Sequence, residues 1–101
     1  MTETTKPASA AVPGFDASVA GKRAECDGGG PIQGTRYAGR EEFAGTLTGD
    51  FVDHGDPPWR WYLLGDLVKK PESYTDAVVW CESGSVFLVD EPDRVPGKNR
   101  L

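Results

Sequence analysis

The one histidine of the chain, His54, sits in the segment Asp50-Phe51-Val52-Asp53-His54-Gly55-Asp56. Carboxylates and an imidazole packed this closely are the donor types of a metal loop. The spacing does not match a calcium loop, which alternates its acidic ligands around a glycine turn and closes on a bidentate glutamate. A single His without a neighbouring Cys is a poor zinc set. Asp, His and Gly followed by Pro57-Pro58 are also the residue types of a turn, and a turn is the expectation here. A small metal-binding protein or enzyme centred on His54 is the lesser alternative.

Other reactive side chains offer less. Cys81 with His54 as a nucleophile pair has no local signature, and the apolar neighbours of Cys81 raise a thiol's pKa. Glu41 and Glu42 are adjacent, so on a strand they point to opposite faces and cannot share acid–base work. The run Asp27-Gly28-Gly29-Gly30-Pro31-Ile32-Gln33-Gly34 has the glycines of a phosphate-binding loop. It lacks the Gly-Lys-Ser/Thr ending, a preceding strand and a following helix, and is expected to be a linker. No catalytic residue and no cofactor are expected, and the chain is read as a non-enzyme.

Trp59-Arg60-Trp61-Tyr62 carries chemistry of another kind. The plainest reading of three aromatic rings and a guanidinium in consecutive positions is a core strand, with Trp59 and Trp61 inside and Arg60 and Tyr62 at the rim. The same residues suit the anchor of a protein interface, where Trp, Tyr and Arg are enriched. They also suit stacking on nucleic-acid bases. The chain holds 16 acidic and 11 basic residues, a net charge of −5. That field repels phosphate, so a nucleic-acid-associated small barrel using Trp59, Arg60, Tyr62, Lys69, Lys70, Arg94, Lys98 and Arg100 stands second to a protein partner.

Such a cluster must be held by strands. Phe43, Gly45 and Leu47 alternate with Ala44, Thr46 and Thr48, the pattern of a strand over 43–48 with one apolar face and a bulge or close approach at Gly45. Gly49-Asp50 reads as a turn. Residues 53–58 form a loop short enough for a hairpin connection. The strand over 59–64 puts Trp59, Trp61 and Leu63 on one face and Arg60, Tyr62 and Leu64 on the other. Gly65-Asp66 ends or kinks it.

The run Ala77–Asp90 has the strongest local signal. Val78–Cys81 and Val86–Val89 are apolar strand-forming runs around Ser83-Gly84, which reads as a two-residue hairpin turn. Pairing Cys81 with Val86 and Trp80 with Phe87 gives one face of Val79, Cys81, Val86 and Leu88. The other face holds Val78, Trp80, Phe87 and Val89. Neither is polar, so each needs a cover. Strands at 76–82 and 85–90, with a possible fifth at 32–38, complete the set.

The expected fold class is therefore all-β: a small antiparallel barrel of SH3-like type or a half-open sandwich of four to five strands. Residues 1–34 are expected to be a flexible N-terminal arm and Gly-rich linker, 35–95 a small β domain and 96–101 a loose C-terminal tail. Within the arm, Phe15 and Val19 lie four apart and can anchor together on this domain or a partner. There is no signal-peptide-like apolar segment and no run of about 20 apolar residues that could span a bilayer. A cytoplasmic setting with Cys26 and Cys81 reduced is the expectation, with no membrane association. The expected function is a non-enzymatic protein-interaction or assembly subunit, docking on a larger complex or on copies of itself through Trp59, Arg60, Tyr62, Trp80, Phe87, Phe15 and Val19.

Overall fold

The computed structural model describes residues 12–35, 42–55 and 57–89. Residues 1–11 of the expected arm, Glu41, Asp56 and the tail at 96–101 lie outside the described residues. Six strands follow in chain order: β1 (Val12–Phe15), β2 (Arg23–Asp27), β3 (Glu42–His54), β4 (Trp59–Lys69), β5 (Val79–Glu82) and β6 (Val86–Leu88). One 3₁₀ turn, Ser83–Ser85, joins β5 to β6. Among the described residues there is no α-helix, so none long and apolar enough to cross a membrane.

All pairings are antiparallel, in the order β5-β4-β3-β2-β6, with β1 also on β3. β1 lies along Asp50–Asp53 and β2 along Glu42–Thr46, so both sit on the same edge of the long β3. The chain between them is tied to β3 where it passes, by Asp16 N–H to Gly49 O (2.8 Å) and Gly21 N–H to Leu47 O (2.8 Å). This overturns the arm and linker for residues 12–27: they are two strands of the sheet. Their local sequence is a poor strand signal, since Pro13 and Gly14 weaken one strand and charged residues alternate along the other.

The β5–β6 hairpin is the second correction. β5 pairs with β4, and β6 pairs with β2. They are the two edges of the sheet, and the sheet is not closed into a barrel. Gly84 is not among the positive-φ glycines, and Val86 N–H bonds back to Ser83 O. The link is thus a 3₁₀ turn, which sends the chain out of register instead of folding it back as a primed turn does. Because so short a link joins the sheet's two edges, the sheet must coil until they approach. The face assignment nevertheless holds: Val79, Cys81, Val86 and Leu88 all enter the core.

That core also takes Ala24, Cys26, Phe43, Leu47, Tyr62 and Leu64 from the other strands, with Val19 and Tyr74 from loops. Phe43 and Tyr74 meet edge to face with ring centroids 4.9 Å apart. Buried residues alternate with exposed ones along β2 and with half-buried ones along the first half of β3, as a sheet with one core face requires. The reverse face is not bare. Trp61, 7% exposed, pairs with Val52 in register and is buried there.

Two irregularities bend the β3–β4 hairpin. Ala44 and Thr46 oppose Lys69 and Gly65, and Leu47 and Phe51 oppose Leu64 and Tyr62. The first leaves extra residues on β4 around Asp66, whose φ is +46°; the second leaves them on β3 around Gly49, whose φ is +98°. Gly49 is therefore a bulge inside one strand, not the turn expected there. At Gly45 a Cβ would stand 2.3 Å from Gly65 O, so the close approach foreseen at that glycine is present.

The Gly-rich loop is packed. Gly30 exchanges both backbone hydrogen bonds with Trp80 (2.9 and 2.8 Å), which covers part of the outer edge of β5. A Cβ on Gly29 would meet Val79 Cγ2 at 2.8 Å, and one on Gly30 would meet Thr35 O at 2.3 Å. These glycines serve close approach rather than flexibility. Residues 32–35 form a turn, closed by Thr35 N–H to Ile32 O (3.1 Å), so the possible strand begins outside regular structure; 36–38 lie outside the described residues.

Candidate interaction surface

Arg60 is the centre of a connected polar and aromatic group among the described residues. It stands on β4 opposite Asp53 of β3, a pairing set by the short connection between His54 and Trp59. Nε and Nη2 of Arg60 donate to Oδ1 and Oδ2 of Asp53 at 2.9 and 3.1 Å, a bidentate fork. The guanidinium carbon lies 3.8 Å from the centroid of the Phe51 ring, close enough for a cation–π contact. Phe51 in turn meets Tyr62 edge to face, with centroids 6.0 Å apart. The Tyr62 hydroxyl points to Asp16 Oδ2 at 3.5 Å.

Each charge in this group is biased toward its ionised form. The Arg60 hydrogen bond holds the Asp53 carboxyl below the ordinary range, and the same bond raises Arg60. Asp16 is lowered first by the Ser18 hydroxyl and then by the Ser18 N–H, which donates to Oδ1 at 3.0 Å. Glycine makes room for the stack. A Cβ on Gly14 would sit 2.4 Å from Phe51 Cζ, so β1 crosses directly against that ring.

Large apolar side chains stand exposed on the same strands. Val12 pairs with Asp53 and is 59% exposed; Phe15 is 61% and Trp59 56% exposed. Of the seven residues expected at an interface, Phe15, Trp59 and Arg60 thus lie on the β1–β3–β4 part of the sheet, Arg60 on one face with Val12 and, by alternation, Phe15 and Trp59 on the other. Val19 and Tyr62, 5% and 6% exposed, are core residues and cannot present a surface. Their expected role is corrected: Val19 is turned inward by the tight turn after Asp16, and Tyr62 faces the core because it shares Leu64's side of β4. Trp80 is half-buried on β5, opposite Leu63, with its backbone locked to Gly30. Phe87 is half-buried on β6 and lines a cleft of about 150 Å³ with Glu25 and Lys69. Neither belongs to the group around Arg60.

Val12, Phe51 and Asp53 were missed. The hairpin loop at 53–58 was the available signal for Asp53, since closing it sets that residue across from Arg60. Nothing local marked Val12.

His54 lies on β3 opposite Trp59, with its imidazole over Gly34, where a Cβ would stand 3.0 Å away. Among the described residues no three His, Cys, Asp or Glu side chains form a group that could hold a metal ion. Cys26 and Cys81 are both buried and free.

Comparison with protein-family models, with curated proteins and with solved structures found no match for this chain.

Proposed function

We propose that this chain is a non-enzymatic protein-interaction or assembly subunit that docks through the β1–β3–β4 part of the sheet, where Val12 and Arg60 share one face and Phe15 and Trp59 the other. The observation that carries the proposal is exposed Val12 in register with the Asp53–Arg60 pair, the arginine already fixed by a bidentate carboxylate and an aromatic ring, with exposed Trp59 next to it on the other face. A partner that covers this part of the sheet orders few side chains, because Arg60 has already given up its freedom. Trp and Arg are the types that dominate interface energies when desolvated. The net charge of −5 favours a protein partner over a phosphate backbone.

We also propose an SH3-like arrangement for the sheet. Supporting it are the long bent β3 shared by both halves, the return of β6 beside β2, and the 3₁₀ link from β5. Two buried free thiols support a reducing, cytoplasmic setting.

A photo-crosslinking amino acid at position 59 tests the docking role, with one at exposed Asp27 as control. Light scattering on the purified chain distinguishes self-association from a separate partner. A discrete product from position 59, lost in Phe15→Ser, is expected. A monodisperse monomer whose position-59 and position-27 probes give the same diffuse products would overturn the proposal.

A further inference from the structure

Gly65 is a strand glycine with room beside it for a side chain. Its φ is not positive, so any L-residue can adopt its backbone. A Cβ placed on it would meet Thr48 Cγ2 at 3.5 Å and Val78 Cγ1 at 3.7 Å, both ordinary van der Waals distances. Glycine inside a strand costs roughly 0.5–1 kcal/mol relative to alanine. A glycine inside a strand marks a bulge or the close approach of a backbone or a ligand. Gly65 adjoins the bulge at Asp66, and the space where its side chain would stand is open to a ligand.

A groove of about 510 Å³ lies at this point. It sits between the two bulges of the β3–β4 hairpin, with Thr46 and Thr48 on one wall and Gly65 and Asp66 on the other. Ala77 and Val78, from the segment entering β5, line it as well, and Asp76 stands beside them. Bulges commonly re-aim side chains beside binding sites. The volume is in the range of a ligand site and well above a solvent-sized crevice. Asp66 is held in the left-handed region at φ +46°, a conformation open to Asp and Asn but unfavourable for most side chains.

The lining has a definite chemistry. Leu67, Ala77 and Val78 give an apolar surface long enough for an aliphatic stem. Asp66 and Asp76 supply two carboxylates. The cation of the lining, Lys70, donates its Nζ to Tyr74 O at 2.8 Å, which fixes it at that carbonyl. Two carboxylates against one tethered ammonium leave the groove net negative. An aliphatic stem ending in a positive charge matches such a site, as lysine and arginine side chains do when they lie along apolar surface.

We infer that the groove between Thr46–Thr48 and Gly65–Asp66 binds an extended basic segment of a partner protein, with a lysine or arginine stem along Val78 and its head between Asp66 and Asp76. The segment, rather than a free amine, is favoured because the groove is several times larger than one side chain and is walled by three separate stretches of chain. This surface is separate from the Arg60 group and does not depend on its role.

The test is a titration of the isotope-labelled full chain with a capped Val-Arg-Val-Arg peptide, followed by backbone amide NMR. A Val-Glu-Val-Glu peptide and free agmatine are run alongside. Saturable shifts at Gly65, Asp66, Ala77 and Val78 are expected with the basic peptide alone, weakening at least several-fold in 0.5 M salt. Gly65→Val fills the groove and is expected to lower affinity at least tenfold, its fold checked by the unchanged remainder of the spectrum. If that variant misfolds, the pair Asp66→Asn and Asp76→Asn serves instead, with asparagine retaining the left-handed preference at position 66. Any of four results overturns the inference: no shifts, shifts spread over every surface carboxylate, equal affinity after the groove is filled or neutralised, or agmatine binding as tightly as the peptide.

Discussion

Arg60 and Asp53 show what a single cross-strand pair contributes. Both side chains are partly exposed, 41% and 30%, so water screens their attraction. The bidentate geometry and the Phe51 contact add to it, and Arg60→Ala is expected to cost about 1 kcal/mol in urea unfolding at pH 7. The pH dependence has a definite sign. Arg60 holds the Asp53 carboxyl below its ordinary value, so the fold favours the carboxylate. That stability is complete above the unfolded carboxyl range, about pH 4, and is lost as pH falls through the lower folded value. Asp16 and Glu42 are lowered too, by Ser18 and Lys69, and lose their contributions in the same direction. Stability is therefore expected to fall as acid is added below about pH 4. The loss should be shallower in Asp53→Asn, read from urea midpoints at successive pH values. Tyr74 gives a further prediction. Its hydroxyl donates to Val78 O at 2.7 Å, and Tyr74→Phe is expected to cost about 1 kcal/mol with little change in packing.

At the scale of elements, the facing glycines of β3 and β4 should respond in opposite ways. A Cβ on Gly45 would overlap Gly65 O at 2.3 Å, and that oxygen belongs to a backbone which cannot move freely. Gly45→Ala is expected to destabilise by about 1–3 kcal/mol or more. Gly65→Ala has room and a permissive φ, so it is expected to be neutral or to stabilise by up to about 1 kcal/mol. Thermal or urea melts of both variants decide the matter, and equal losses would show that the glycines play one role. Sheet edges follow a similar logic. In β1, Asp16 N–H bonds to β3, so by alternation Pro13 faces outward and offers no donor to an incoming strand. On β5, Trp80 is taken by Gly30, and Val78 O by Tyr74. β1 and the outer side of β5 are thus blunted by the chain itself, which leaves their contacts to side chains.

For the whole molecule, the decisive feature is the distance in sequence between paired strands. β2 holds β6 by Ala24 to Leu88 and Cys26 to Val86. The core cannot form from residues 35–95 alone, because Ala24 and Cys26 are part of it. A chain lacking residues 1–27 is expected to be unfolded by circular dichroism and by amide NMR, where an independent domain would remain folded. Long-range antiparallel pairing is also slow to find. Folding is expected on the millisecond-to-second scale in stopped-flow experiments. A mutation in β2, such as Ala24→Gly, should shift the unfolding limb or the folding limb according to when β2 docks.

Local sequence determined more of this protein than its loop-rich composition suggests. All-β character, the strands at Phe43–Thr48 and Trp59–Leu64 and their hairpin were legible, because alternation and turn chemistry act between near neighbours. So was the grouping of Val79, Cys81, Val86 and Leu88 on one face, though only the structure makes that face the core one. Which strand lies beside which was not legible. Val79–Cys81 and Val86–Leu88 carry the same inward face whether they pair with each other or with β4 and β2, since side-chain direction repeats every second residue in either case. Tertiary structure made that choice by putting a 3₁₀ turn at Ser83–Ser85 and coiling the sheet around one core. The same contacts turned Val12–Asp27 from an apparent arm into strands, gave the glycines of 28–34 tight neighbours, and drew Tyr62 inward while leaving Trp59 exposed. The Arg60 group and the groove at Gly65 exist only once those distant segments have met.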